Sequence, residues 1–240
     1  MIDWDFSFVV LGNCEDERYS AAMYQAIIFD MDGLMIDTEP LYWQVGREIA
    51  GRYGTVCTDQ TLRKMMGRER LDAMRIYATE CGITRATAQE LLDEREIMMV
   101  DRFAAGVEPM AGLVEILERF QGRLKFAVAT SSPKKFTDVL LPSLKLQSYF
   151  QVIQSADDIT HGKPHPEIYL KTAARLYVQP NRCIVLEDSI AGATAGHRAG
   201  AYVIAIPLPI MANEDFSFAD GRAENLHEAA DKIEQLLSHN

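Results

Sequence analysis

The chain has 240 residues, with 24 Lys plus Arg against 35 Asp plus Glu, a net charge of −11. Hydrophobic residues make up 48% of it, enough for a sizeable core and too much for a disordered chain. The acidic balance, with no long basic run, argues against a nucleic-acid or anionic-membrane binder, and no window of 18 apolar residues exists to span a bilayer.

Residues 1–23 come first. They carry five acids (Asp3, Asp5, Glu15, Asp16, Glu17) against Arg18, and their longest apolar run is Phe8-Val9-Val10-Leu11. That composition is not a secretory leader, so the segment is expected to be an N-terminal extension of unassigned role. Cys14, Cys57, Cys81 and Cys183 lie far apart with no C-x-x-C. This fits a reducing, cytoplasmic setting better than a disulfide framework.

Residues 24–29 then read as a buried strand, short and rich in Ile and aromatics. Residues 40–104 break the pattern. They show no convincing strand and read as helices over 41–53, 59–66, 70–81 and 84–103, with apolar faces from Leu62, Met65, Met66, Met74, Ile76, Leu91, Leu92, Ile97, Met98 and Met99. Pro40 on one side, and Gly106 and Pro109 on the other, punctuate this block. After it, strands at 124–129, 150–153, 182–186 and 201–206 alternate with helices at 112–120, 132–140, 166–177 and 190–199. Ser132-Pro133 supplies an N-cap and a first-turn proline for the second of these helices. Such alternation predicts βαβ units and a parallel sheet covered on both faces. The expected fold is therefore α/β: a Rossmann-like core from residues 24–38 and 109–240, with an inserted all-helical cap domain at 39–108.

In an open parallel sheet, ligands bind beyond the carboxyl ends of the strands. The first strand ends in Asp30-Met31-Asp32-Gly33, the second in Thr130-Ser131-Ser132 and the fourth in Glu187-Asp188-Ser189; a loop after the third carries His161-Gly162-Lys163-Pro164. Carboxylates at one edge repel by roughly 4 kcal/mol at 4 Å and an effective dielectric of 20. They require protons or a cation, and hard oxygen donors suit Mg²⁺. A lysine and hydroxyls beside them suit an anionic phosphoryl group.

These residues resemble the haloacid dehalogenase-like hydrolase superfamily: Asp30-Met31-Asp32-Gly33-Leu34 with Asp37-Thr38-Glu39, Thr130-Ser131, Lys163-Pro164-His165-Pro166, and Glu187-Asp188-Ser189-Ile190-Ala191-Gly192. The helical insert is similar to the cap of its β-phosphoglucomutase-like and phosphoglycolate phosphatase-like subgroup. Phe29 to Tyr42, Met66-Gly67, Ala129 to Ser132 and His161 to Pro166 look nearest to pseudouridine-5′-phosphatase-like members.

The resemblance implies a catalytic set of Asp30, Asp32 and Lys163. Asp30 is the nucleophile that forms an aspartyl-phosphate, and Asp32 is the acid and then the base. Mg²⁺ is held by Asp30, the Asp32 carbonyl and Asp188, with Glu187 as a neighbouring or alternative ligand. Thr130, Ser131 and Lys163 hold the phosphoryl oxygens. The partner is a small phosphorylated metabolite, with no nucleic acid and no membrane, in a monomer or weak dimer.

Asp32 argues for phosphoryl transfer over dehalogenation. Related mutases carry a histidine near the position of Tyr42 and a lysine near that of Met66, so a phosphatase is favoured. A mutase and a non-catalytic phosphate-binding protein stay open as alternatives. Residues 63–75 hold five bases (Arg63, Lys64, Arg68, Arg70, Arg75) and two acids. The run reads as a solvated helix face or as a substrate contact through Arg70, with Arg68 as the second choice, and Glu39 beside the hinge is the other candidate contact. His161 and His165 read as loop residues, and Tyr42 and Trp43 as cap packing or pocket lining.

Overall fold

A computed structural model describes residues 24–211 and 214–238; the extension at 1–23 lies outside the described residues. Six parallel strands form one sheet: β1 (Ala26–Phe29), β2 (Lys125–Ala129), β3 (Val152–Gln154), β4 (Cys183–Glu187), β5 (Tyr202–Ala205) and β6 (Gly221–Arg222), in the order β3-β2-β1-β4-β5-β6. Because side chains alternate across a strand, β1 divides its apolar residues between two cores. Ile27 and Phe29 join a cluster with Phe126, Ile184 and Leu186 on one face. Ala26 and Ile28 join Ala127, Val185 and Val203 on the other. Both faces are covered, which explains why these strands read as continuous apolar runs.

Four helices separate β1 from the rest of the core: α1 (Glu39–Arg52), α2 (Asp59–Met65), α3 (Arg70–Glu80) and α4 (Ala88–Ala104). Thr87 starts α4 with a capping box, its hydroxyl taking the Glu90 N–H while Glu90 returns the bond to Thr87. Leu91, Met99 and Phe103 of α4 are fully buried. Phe103 meets Phe136 edge-on at 5.2 Å, which joins the insert's core to that of the sheet. The two chain crossings between insert and sheet lie side by side. Ile36 bridges to both Asp32 and Pro109, and the Met110 N–H donates to the Met35 carbonyl at 2.8 Å.

The remaining helices are α5 (Leu113–Phe120), α6 (Lys134–Ser143), α7 (Glu167–Leu176), α8 (Ile190–Arg198) and α9 (Leu226–Ser238). Two differences from the sequence reading stand out. Ser132 does not cap α6; Pro133 holds that place, and the Ser132 hydroxyl turns to Asp32 instead. β6 and α9 lie beyond the last expected element. Leu226, Ala229, Ala230 and Ile233 of α9 are buried at helical spacing, so the signal was present in the sequence. The two residues of β6 are too few to show a period.

Candidate active site

The sheet register builds the site. Phe29 pairs with Leu186, so the next residues along, Asp30 and Glu187, emerge side by side at the carboxyl edge. Thr130 leaves β2 at the same edge, its N–H bonded to the Gln154 carbonyl at 3.0 Å. Close packing here demands glycine. A Cβ on Gly33, which holds a φ of +81°, would lie 2.3 Å from Asp188 Oδ2; one on Gly192 would lie 1.6 Å from Glu187 Oε1.

The Lys163 side chain is only 5% exposed and donates to Asp30 Oδ1 at 2.5 Å, Glu187 Oε1 at 2.6 Å and the Ala129 carbonyl at 3.1 Å. Its three protons are thereby spent. Glu187 is fully buried. Oε1 also accepts from the Tyr169 hydroxyl at 2.7 Å, and Oε2 accepts from the Ser189 N–H and hydroxyl at 3.1 and 2.9 Å. Asp30, Glu187 and Asp188 each place a carboxylate oxygen within 4.8 Å of the others.

One ammonium does not balance three carboxylates, two of them buried and the third partly so. Burial, with Glu187 and Asp32 adding to it and Lys163 opposing it, pushes Asp30 up to about 8. Burial and the charge of Asp30 hold Asp188 well above the carboxylate range. Such a cluster calls for a further cation, and its all-oxygen donor set fits Mg²⁺. Glu187, with both oxygens already occupied, organises the cluster through Lys163 and Ser189.

Asp32 differs from its neighbours. Its Oδ2 accepts from the Ser132 hydroxyl at 2.7 Å and from Thr130 Oγ1 at 3.3 Å, while Oδ1 is buried without a partner. One oxygen is thus fixed and the other left available. Thr130 is fully buried; Ser131 is exposed and lines the cavity.

The cavity above the sheet edge has a volume of about 600 Å³ and is walled on the far side by the helical insert. Glu39 lies in that wall with Oε1 buried and unpartnered, its pKa raised by burial and by Asp37. Tyr42 and Trp43 also line it, as do Met65, Met66 and the buried Met74, while Met99 is core. Arg70 reaches the cavity wall but forms an ion pair with Glu96, which also takes Lys135 of α6 at 2.5 Å.

The sequence reading missed Arg95. It is a cavity-lining residue whose guanidinium lies 5.4 Å over the Tyr42 ring, with a buried Nε that has no partner; burial lowers its pKa. Its neighbours Asp93, Glu94 and Glu96 suggest a solvated face. Yet Arg95 sits four residues from each of the fully buried Leu91 and Met99, on the inward stripe of α4.

Comparison with known proteins agrees with this architecture. The sequence profile of haloacid dehalogenase-like hydrolases matches residues 27–206. Fructose-1-phosphate phosphatase YqaB of Escherichia coli (strain K12) is 34% identical, over 77% of this chain and 97% of its own length. The phosphorylated carbohydrates phosphatase of Thermotoga maritima is 36% identical, over 73% of this chain and 82% of its own. A putative β-phosphoglucomutase structure from Thermotoga maritima aligns with a TM-score of 0.75 at 30% identity, covering 89% of this chain and all of that one. Among the described residues no helix is long and apolar enough to cross a membrane. With its profile match, its relatives and its arrangement of carboxylates and lysine at the sheet edge, the chain belongs to the haloacid dehalogenase-like hydrolases.

Proposed function

We propose that the chain is a Mg²⁺-dependent phosphomonoesterase, acting on a small phosphorylated sugar, polyol or nucleoside through a phosphoryl group carried on Asp30. One observation carries this reading. Asp30 is buried against Lys163, in ligand range of Asp188, while Asp32 keeps one oxygen unpartnered beside the same cavity.

Asp30, Asp188 and the Asp32 main-chain carbonyl would hold the ion. Bound there, Mg²⁺ neutralises the crowded carboxylates and draws charge from the phosphoryl oxygens. The chain's own groups do the rest. Asp30 attacks phosphorus in line, and the leaving alcohol takes its proton from Asp32 Oδ1. The Ser132 and Thr130 hydroxyls fix Oδ2, so Oδ1 is the oxygen positioned for proton transfer. In the second half Asp32 removes a proton from the water that frees phosphate. Thr130, the Ser131 N–H and Lys163 hold the phosphoryl oxygens, Thr130 exchanging its long bond to Asp32 and Lys163 its bond to Asp30 for the incoming anion, while Ser132 keeps Asp32 Oδ2 fixed.

The cavity is of the size that holds a small metabolite. Arg95, Glu39 and, through its pairing with Glu96, Arg70 supply polar contacts on the side away from the chemistry. The names of the relatives support a phosphorylated carbohydrate. A mutase has less support, because Tyr42 and Met66 stand where the related mutases carry histidine and lysine. The test is phosphate release across a panel of phosphorylated metabolites, with Mg²⁺ and with a chelator. Release from sugar or polyol phosphates that stops on chelation is expected. Isomer interconversion without phosphate release, or no turnover by folded protein, overturns the proposal.

A further inference from the structure

A second group of ligand-type side chains lies outside the carboxylate cluster. His161 and His165 stand at either end of the loop that presents Lys163, and Glu167 opens α7 directly after it. The two imidazole rings lie close together and tilted, with centroids 4.6 Å apart and planes inclined by 37°. A nitrogen from each ring and an oxygen of Glu167 all fall within 4.8 Å of one another. None of the three has a part in the hydrolytic reading.

The carboxylate is already oriented. Glu167 Oε1 accepts from the Thr160 N–H at 2.9 Å and pairs with Lys171 at 2.7 Å. Oε2 accepts from the His161 N–H at 2.9 Å and lies 3.0 Å from His161 Nδ1. Both histidines are exposed, so an ion has access and the rings have room to turn. An ion would displace two exposed contacts, the 3.0 Å approach of His161 Nδ1 to Glu167 Oε2 and the 3.3 Å donation from the Glu167 N–H to His165 Nδ1.

We propose that His161, His165 and Glu167 form a surface site for a divalent transition ion of the zinc class, separate from the Mg²⁺ cluster. The donor set decides the class. Two imidazole nitrogens and one carboxylate oxygen suit Zn²⁺ or Ni²⁺, whereas Mg²⁺ selects oxygen donors and gives up water reluctantly. Metal–ligand distances of about 2.0–2.1 Å require the three atoms to close together by roughly 1 Å, a movement open to exposed rings on a loop. The ion ties both ends of the Lys163 loop to the first turn of α7.

Isothermal titration of Zn²⁺ into the full chain in saturating Mg²⁺ tests this. One high-affinity Zn²⁺ per chain is expected, weakened roughly tenfold or more in His165→Ala and lost in the His161→Ala/His165→Ala double variant. Both variants are expected to keep the wild-type circular dichroism and Mg²⁺-dependent turnover. Co²⁺ bound in place of Zn²⁺ is expected to show ligand-field bands without thiolate charge transfer. Equal Zn²⁺ binding by wild type and double variant, displacement of Zn²⁺ by Mg²⁺, or a thiolate band that assigns the ion to cysteine each overturn the proposal. The titration reads binding directly, so its outcome is independent of whether the chain hydrolyses phosphate esters.

Discussion

The two walls of the cavity are made differently. At the sheet edge most polar groups are committed, with Asp32 Oδ1 left open: Lys163 has three acceptors, Glu187 has four donors, and Gly33 and Gly192 leave no room for a methyl group. On the insert side Arg95 Nε and Glu39 Oε1 are buried without partners. The first wall leaves open only the Asp32 oxygen that the proposed proton transfer uses. The second leaves bonds to be made by something that arrives, since an unpaired buried polar group carries a desolvation cost that a ligand can relieve. Chemistry and selectivity are thereby assigned to different walls.

Substitutions on the two walls separate these roles. The largest effect is expected from Asp30→Asn, which removes the attacking oxygen without changing the side-chain size. Turnover should fall by about 10³-fold or more on every phosphate ester, and labelling by beryllium fluoride should disappear. Retention of more than a few per cent of wild-type kcat would rule out a covalent intermediate on Asp30.

Next in size, Arg95→Ala is expected to raise KM about tenfold for a sugar phosphate while p-nitrophenyl phosphate turnover stays within about twofold. Arg70→Ala, whose cation is already matched by Glu96, should show the same pattern more weakly. Equal losses on both substrates would erase the distinction between the walls.

The smallest effect is on stability. A carboxyl that titrates at about 8 in the fold and at 3.8 ordinarily binds its proton more tightly when folded. The metal-free protein should therefore lose stability as pH rises between those values. Asp188 is raised too and acts in the same direction, while Lys163, also raised, stays charged in both states throughout that window. The gap in Tm between Mg²⁺-saturated and chelated protein should widen from about pH 5 to about pH 8. A constant gap would show that the ion does not relieve this crowding.

The same contrast governs what the sequence reveals. Asp30, Thr130 and Glu187 each follow a short apolar strand, and parallel pairing aligns strand ends without detailed knowledge of packing. Their convergence is therefore legible from spacing alone. Arg95 is not legible in that way, because the helix pattern shows which face turns inward but not which inward residue faces a cavity and which faces core. Ser132 was misplaced for a related reason. A serine before a proline has a local use as a cap, and only the fold brings Asp32 to compete for its hydroxyl.

The bridge from Ile36 to Asp32 and Pro109 has a mechanical consequence. Both tethers of the helical lobe are laced into a single strap, so a change at one crossing is felt at the other. Asp32 is part of that strap. Its carboxylate is also pinned to the sheet edge through the Ser132 and Thr130 hydroxyls, so one residue joins the tethers of the lobe to the floor of the cavity.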